Sequence, residues 1–233
     1  MRTAQVNDIE IEIEYEVIGQ SEPLLLIHGS NLATGLAPMA TALAVEGPSL
    51  QLLRYHRRGM AGSGGRGWPI SVQQQAADTL GLLDALGLPS PHLLGYSDGA
   101  VIALETALSA PARVRSLAFL EPILTEVPGV QEFMAGMEPV MSLYAAGDMA
   151  GAASTTFAGL GGPGWRELLA TAGPDALDLA IRDTELFCKG SSDAVTAGRP
   201  GSWEASLVDQ LVKGTVGHDD EHLPDYRDEG GRR

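Results

Sequence analysis

The chain holds a single cysteine, Cys188, among 233 residues, so it has no internal disulfide and no cysteine pair at metal-ligand spacing. That agrees with a reducing compartment, and Cys188 reads as an inert, partly buried thiol. Basic residues are scarce as well: 15 lysines and arginines face 30 aspartates and glutamates, for a formal charge of −15. An acidic surface repels nucleic acid and anionic lipid, so neither is an expected partner. Part of that charge is crowded after His218 and says little about a site elsewhere. No apolar run approaches the length needed to span a bilayer, and the opening Met1-Arg2-Thr3-Ala4-Gln5 lacks the apolar stretch of a secretory leader. The expectation is a cytoplasmic protein. No internal repeat is visible, which removes repeat architectures.

What is present suits one large core: 44% of the residues are apolar, as in a soluble α/β domain. Ile9, Ile11, Ile13, Tyr15 and Val17 alternate with Glu10, Glu12, Glu14 and Glu16. Period two with one charged face predicts a half-exposed strand near a sheet edge, where the carboxylates also discourage edge-to-edge association. Residues 24–27, 50–53, 92–94 and 114–120 are short and mostly apolar, as central parallel strands covered on both faces are. Between them, Ala76, Leu80, Leu83 and Leu86 recur at three- and four-residue steps behind Ser71, a capping residue, and predict a helix over 72–86. This alternation predicts an α/β fold with a doubly wound, mostly parallel sheet.

From about 124 to 183 the pattern changes to helices rich in alanine, methionine and glycine, such as 131–146 and 164–172, read as a cap inserted over the sheet's carboxyl edge. Met134, Met137, Met141, Leu143 and Tyr144 read as cap packing rather than pocket lining. After Cys188 apolar residues thin, and only 184–189 and 207–216 are candidates for two further strands; without them the sheet lacks its last one or two. Residues 219–233 are mostly charged and read as a disordered acidic tail of a single domain spanning 1–233.

Gly95-Tyr96-Ser97-Asp98-Gly99 follows the apolar pair Leu93-Leu94 and opens a helical pattern. Strand, sharp turn and helix form the setting of a G-x-S-x-G elbow, in which strained backbone angles lift the serine oxygen clear of the sheet. The amide of Asp98, at a helix N-terminus, points outward where a developing negative charge is favoured; its side chain reads as a surface or capping group. Two more punctuated turns, His28-Gly29-Ser30-Asn31 and Arg57-Arg58-Gly59-Met60-Ala61-Gly62-Ser63, fall after predicted strands. In order and spacing these three segments resemble the α/β-hydrolase superfamily over residues 9 to about 187. Ala61 stands where the second turn of that family usually has glycine.

The resemblance implies that Ser97 is the nucleophile and that backbone N–H groups of Asp98 and of Ser30 or Asn31 form the oxyanion hole. Serine at the elbow centre disfavours the aspartate-based dehalogenase and epoxide-hydrolase mechanisms. A serine needs a base, and the base needs a carboxylate to orient it. His28, His56 and His92 precede the serine and read as structural. Val216-Gly217-His218 resembles the family's last G-H turn, and Gly190-Ser191-Ser192-Asp193 resembles its G-x-x-D, so His218 and Asp193 are the implied base and acid. His222 is an alternative base, and Glu121, after the strand at 114–120, an alternative acid. The implied activity is a cofactor-free, metal-free serine hydrolase cleaving a small ester, thioester, lactone or amide through an acyl-enzyme, with acyl transfer and carbon–carbon hydrolysis as relatives of that chemistry. The other reading is a catalytically silent or truncated binding protein of the same fold, without a working relay.

Overall fold

The computed structural model describes residues 1–6, 11–46, 50–65, 70–123 and 135–196, the last seven as backbone. Six strands form one sheet: β1 (Arg2–Val6), β2 (Ile11–Ile18), β3 (Glu22–Ile27), β4 (Leu50–Tyr55), β5 (His92–Tyr96) and β6 (Ser116–Leu120). Their spatial order is β1-β2-β4-β3-β5-β6. The first two ladders are antiparallel, and β4, β3, β5 and β6 run parallel. The charged strand near the edge is β2, with β1 outside it; β1 carries no alternation that announces it.

Period two decides which helix covers which face. Leu25, Ile27, Leu53, Leu93 and Ile13 face one side, where they pack with Leu82 and Leu83 of α2 (Val72–Ala85) and Ile102 and Ala103 of α3 (Asp98–Ser109). Leu24, Leu26, Leu94 and Tyr96 face the other, against Leu36, Met39 and Ala40 at the start of α1 (Ala37–Glu46). Both faces are covered, which is why the central strands are nearly all apolar. Ser71 caps α2 as its position predicts, its Oγ accepting from the Gln74 amide at 3.0 Å.

After β6 the elements among the described residues are helices: α4 (Glu138–Ala145), α5 (Met149–Gly161), α6 (Trp165–Ala170) and α7 (Ala176–Thr196). Met137, Met141, Leu143 and Tyr144 pack on Val140, Ala152 and Cys188, so they are interior packing of this layer, and Cys188 is wholly buried; Met134 lies outside the described residues. One expectation is corrected here. Residues 184–189, a candidate strand, lie inside α7, because Ala176, Ala180, Asp183, Thr184 and Cys188 are its buried positions, at helical rather than alternating steps. The helical run therefore continues past residue 183. The candidate strand at 207–216 and the tail at 219–233 lie outside the described residues. Among the described residues no helix is long and apolar enough to cross a membrane.

Candidate active site at the carboxyl edge of the sheet

β5 ends at Tyr96 and α3 begins at Asp98, which leaves Ser97 to make the whole reversal; its backbone sits at φ 55°, ψ −122°. A non-glycine residue held there costs about 1–3 kcal/mol and persists only when its surroundings impose it. Three constraints do so. A Cβ on Gly99 would collide with the carbonyl oxygens of Ile27 and His28, and one on Gly95 with the Ala100 backbone, so α3 starts in direct contact with β3 and β5. The Ser97 amide donates to the Leu120 carbonyl at 2.8 Å, tying the bend to the end of β6. The loop after β3 passes beside it, close enough that a Cβ on Gly29 would lie 3.2 Å from the Ser97 Cβ.

That loop is held from two sides. His28 is buried, and its Nε2 accepts the Arg57 amide at 3.0 Å, so its proton sits on Nδ1, which donates to the Gly29 carbonyl at 2.7 Å. Burial first, then the nearby charges of Arg57 and His56, push its pKa well below the ordinary 6.5. The second tie is Asp98. Its Oδ2 accepts from Ser30 Oγ at 3.0 Å and from Arg57 Nη1 at 2.7 Å, which joins the residue after the elbow to the loop after β3, 68 residues away in sequence. The Asp98 side chain, partly exposed, is thus also a bonding partner of two other loops, a role beyond the surface or capping group expected of it. Arg57 is buried, and a buried guanidinium left without a carboxylate is strongly destabilising.

The turn after β4 is stitched to β2. His56 Nδ1 donates to Glu14 Oε2 at 2.8 Å, and the Gly62 amide donates to the same oxygen at 2.9 Å. Burial lowers the His56 pKa despite Glu14, whereas for Glu14 the bonds from His56 and Gly62 outweigh burial and hold its carboxyl below the usual range. Ala61 sits at φ 46°, in the left-handed region, which accounts physically for the glycine that the resemblance leads one to expect there.

The sequence-selected residues are placed unequally. Ser97, Asp98, Ser30 and Asn31 converge on the carboxyl ends of β3 and β5. Glu121 follows the residue whose carbonyl binds the Ser97 amide, is itself at φ 47°, and its charge adds to burial in raising the Tyr96 pKa. Asp193 lies on α7 rather than in a loop after a strand, and its side chain is outside the described residues. His218 and His222 are also outside them. His28 and His56 are engaged as above. His92 bonds Ser116 Oγ at 2.7 Å at the amino end of β5, about 16 Å from Ser97 at the usual strand rise. Among the described residues no group of three His, Cys, Asp or Glu is placed to hold a metal. Arg57 and Asp183 were missed as contributors; the buried stripe of α7 was the signal for the second, since Asp183 is the one acid on it.

Residues 22–168 match the alpha/beta hydrolase fold family over its sequence profile. The chain belongs to that family. Within it, the chain is 36% identical over 109 residues to a protein of Azorhizobium caulinodans whose name gives it, provisionally, as the carbamate hydrolase RutD, covering 46% of this chain and 40% of that one. It is 30% identical over 152 residues to the 2-hydroxy-6-oxo-2,4-heptadienoate hydrolase of Pseudomonas putida, covering 58% and 53% respectively. The chain thus spans about half the length of the curated relatives it matches. The enol-lactonase of Burkholderia xenovorans superposes with a TM-score of 0.62 at 20% identity, covering 81% of this chain and 72% of that one, a likeness of fold. The alpha/beta hydrolase sheet order, with its elbow after β5, is the frame in which Ser97 sits.

Proposed function

We propose that the protein is a serine hydrolase acting on a small acyl compound through an acyl-enzyme at Ser97. The observation that carries this reading is the Ser97 backbone, held at φ 55° and ψ −122° at the head of α3 beside the Ser30 loop. Strain of this kind collects where a side chain must be presented for chemistry. In the proposed sequence Ser97 Oγ attacks the acyl carbon as a histidine takes its proton, and the tetrahedral oxyanion is met by the Asp98 amide at the helix N-terminus and the amide of Ser30 or Asn31. The histidine then protonates the leaving group, and a water activated by the same imidazole releases the acid.

Because His28, His56 and His92 are each bonded elsewhere, the base is assigned to His218, with His222 as the alternative. For the acid, the position of Glu121 beside the elbow supports it over Asp193, whose expected strand-and-loop setting is helical. The relatives bear the names of hydrolases acting on a carbamate, a hydroxy-oxo-heptadienoate and an enol-lactone, and an ester, thioester, lactone or amide is the substrate class proposed here. No cofactor enters this mechanism.

The same occupied histidines are what favour a second reading, a binding protein of this fold without a relay. Incubation with a fluorophosphonate probe distinguishes the two. Labelling that disappears in Ser97→Ala, with the melting temperature unchanged, is the expected result; a well-folded protein that takes up no probe overturns the hydrolase reading. Hydrolysis of p-nitrophenyl acetate by His218→Ala, His222→Ala, Glu121→Ala and Asp193→Ala then assigns base and acid.

A further inference from the structure

Asp183 lies on α7, in the helical layer, and no step of the proposed mechanism uses it. It is 0% exposed. A carboxylate taken out of water costs several kcal/mol unless hydrogen bonds replace its hydration, and an apolar residue would fill the same space in the stripe formed by Ala176, Ala180 and Cys188 without that cost. What the carboxylate does instead is reach out of its own layer. Asp183 Oδ2 accepts the Ala33 amide at 2.8 Å, across 150 residues of sequence. Ala33 belongs to the loop that carries Ser30 and Asn31, three and two positions earlier. Around this bond, Leu179 and Leu186 of α7 pack on Ala33, Met60 and Ala61, so two turns of helix touch both the loop after β3 and the turn after β4. The titratable groups facing the carboxyl are Arg182 of its own helix and His56, which follows β4, and the Ala61 amide in the turn after β4 also bonds to it.

Beside Ala33, the loop also packs Leu32 on Trp165, Leu169, Ala176 and Ala180 of the helical layer. Its carbonyls at Leu32 and Thr34 accept from Gly35 and Ala37, which shapes the run into α1 but fixes nothing to the sheet. Upstream, Ser30 is held through Asp98. Among the described residues the loop is thus bonded at Gly29 through His28, at Ser30 through Asp98 and at Ala33 through Asp183, the last being its hydrogen bond to the helical layer.

We propose that Asp183 is a positioning residue that sets the donors of the loop at Ser30 and Asn31 for the oxyanion by holding Ala33, and so couples the seating of α7 to turnover. The proposal rests on the serine-hydrolase reading above. Its chemistry requires only an acceptor at this place, because a donor displaced by about 1 Å costs on the order of a hundredfold in rate, while ground-state binding of the substrate does not depend on it.

The experiment compares Asp183→Leu, Asp183→Ala and Asp183→Asn with the unmodified chain. Ester turnover, fluorophosphonate labelling rate and thermal unfolding are measured on each, after Ser97-dependent labelling of the unmodified chain has been established. Leucine keeps the packing and removes the acceptor; kcat is expected to fall at least tenfold with KM within twofold and the labelling rate falling in parallel. Asparagine keeps an acceptor oxygen for the Ala33 amide and is expected to restore kcat to within about threefold. A folded Asp183→Leu with full kcat, or a loss confined to melting temperature or KM, overturns the proposal. Should leucine and alanine both fail to fold, amide hydrogen exchange at Ala33 in the unmodified protein decides: protection is expected, and exchange at the rate of an open loop overturns it. If the unmodified chain is not labelled at Ser97, it is the hydrolase reading that has failed.

Discussion

His28 illustrates how a single side chain fixes both geometry and pH range. Both ring nitrogens are committed, one as donor to Gly29 and one as acceptor from Arg57, so the ring is neutral in the fold. Its folded pKa is depressed well below 6.5, and that of His56 is lowered too. The unfolded chain then binds more protons than the folded one below about pH 6.5, and stability falls as pH falls through that window, while it is fully present above it. Thermal unfolding between pH 8 and pH 5 is expected to show a melting temperature that is flat at the upper end and declines below about pH 6.5. In His28→Asn the decline is expected to be shallower; an unchanged slope would remove His28 as its source. Glu14, with its carboxyl held below the usual range, works in the same direction at still lower pH, since its stabilisation is lost as it is protonated. The structural character of the three early histidines was legible from their positions before the serine. The partners of Asp98 were not, because Ser30 and Arg57 are distant in sequence and no local pattern brings three turns together.

The strand–elbow–helix unit depends on how closely α3 approaches β3. Gly99 has no space for a Cβ, the obstacles being backbone carbonyls that cannot rotate aside. Gly99→Ala is therefore expected to cost about 1–3 kcal/mol or more by overpacking, read as a fall in the urea midpoint, and to reduce activity by displacing Ser97 and Asp98 together. A silent substitution would mean that α3 slides outward at little cost. The strands β3, β4 and β5 were readable because burial on both faces requires apolar runs, and α2 because its capping serine and its stripe agree; β6 has the same apolar run but is the outer strand among the described residues, with Ser116, Ala118 and Phe119 exposed. β1 was not readable, since a short outer strand needs no pattern. The run at 184–189 misleads because a short apolar segment fits either period, and the helical stripe becomes visible only when the window is widened back to Ala176.

The molecule as a whole carries twice as many acidic as basic residues, with a formal charge of −15. Self-repulsion of that size destabilises a compact state. Raising ionic strength from 0.01 to 0.15 M shortens the screening length from about 30 to about 8 Å, so the melting temperature at neutral pH is expected to rise over that range in sodium chloride. A fall would show that ion pairs such as Arg58–Asp78, 2.5 Å apart, outweigh the net repulsion. The bond between Ala33 and Asp183 has a consequence for synthesis. A ribosome adding about 5–20 residues per second needs roughly 8–30 s to travel from the first of these residues to the second, a distance of 150 positions. Throughout that interval the nascent sheet holds Ser97 and its neighbouring loop without the bond from the far helix.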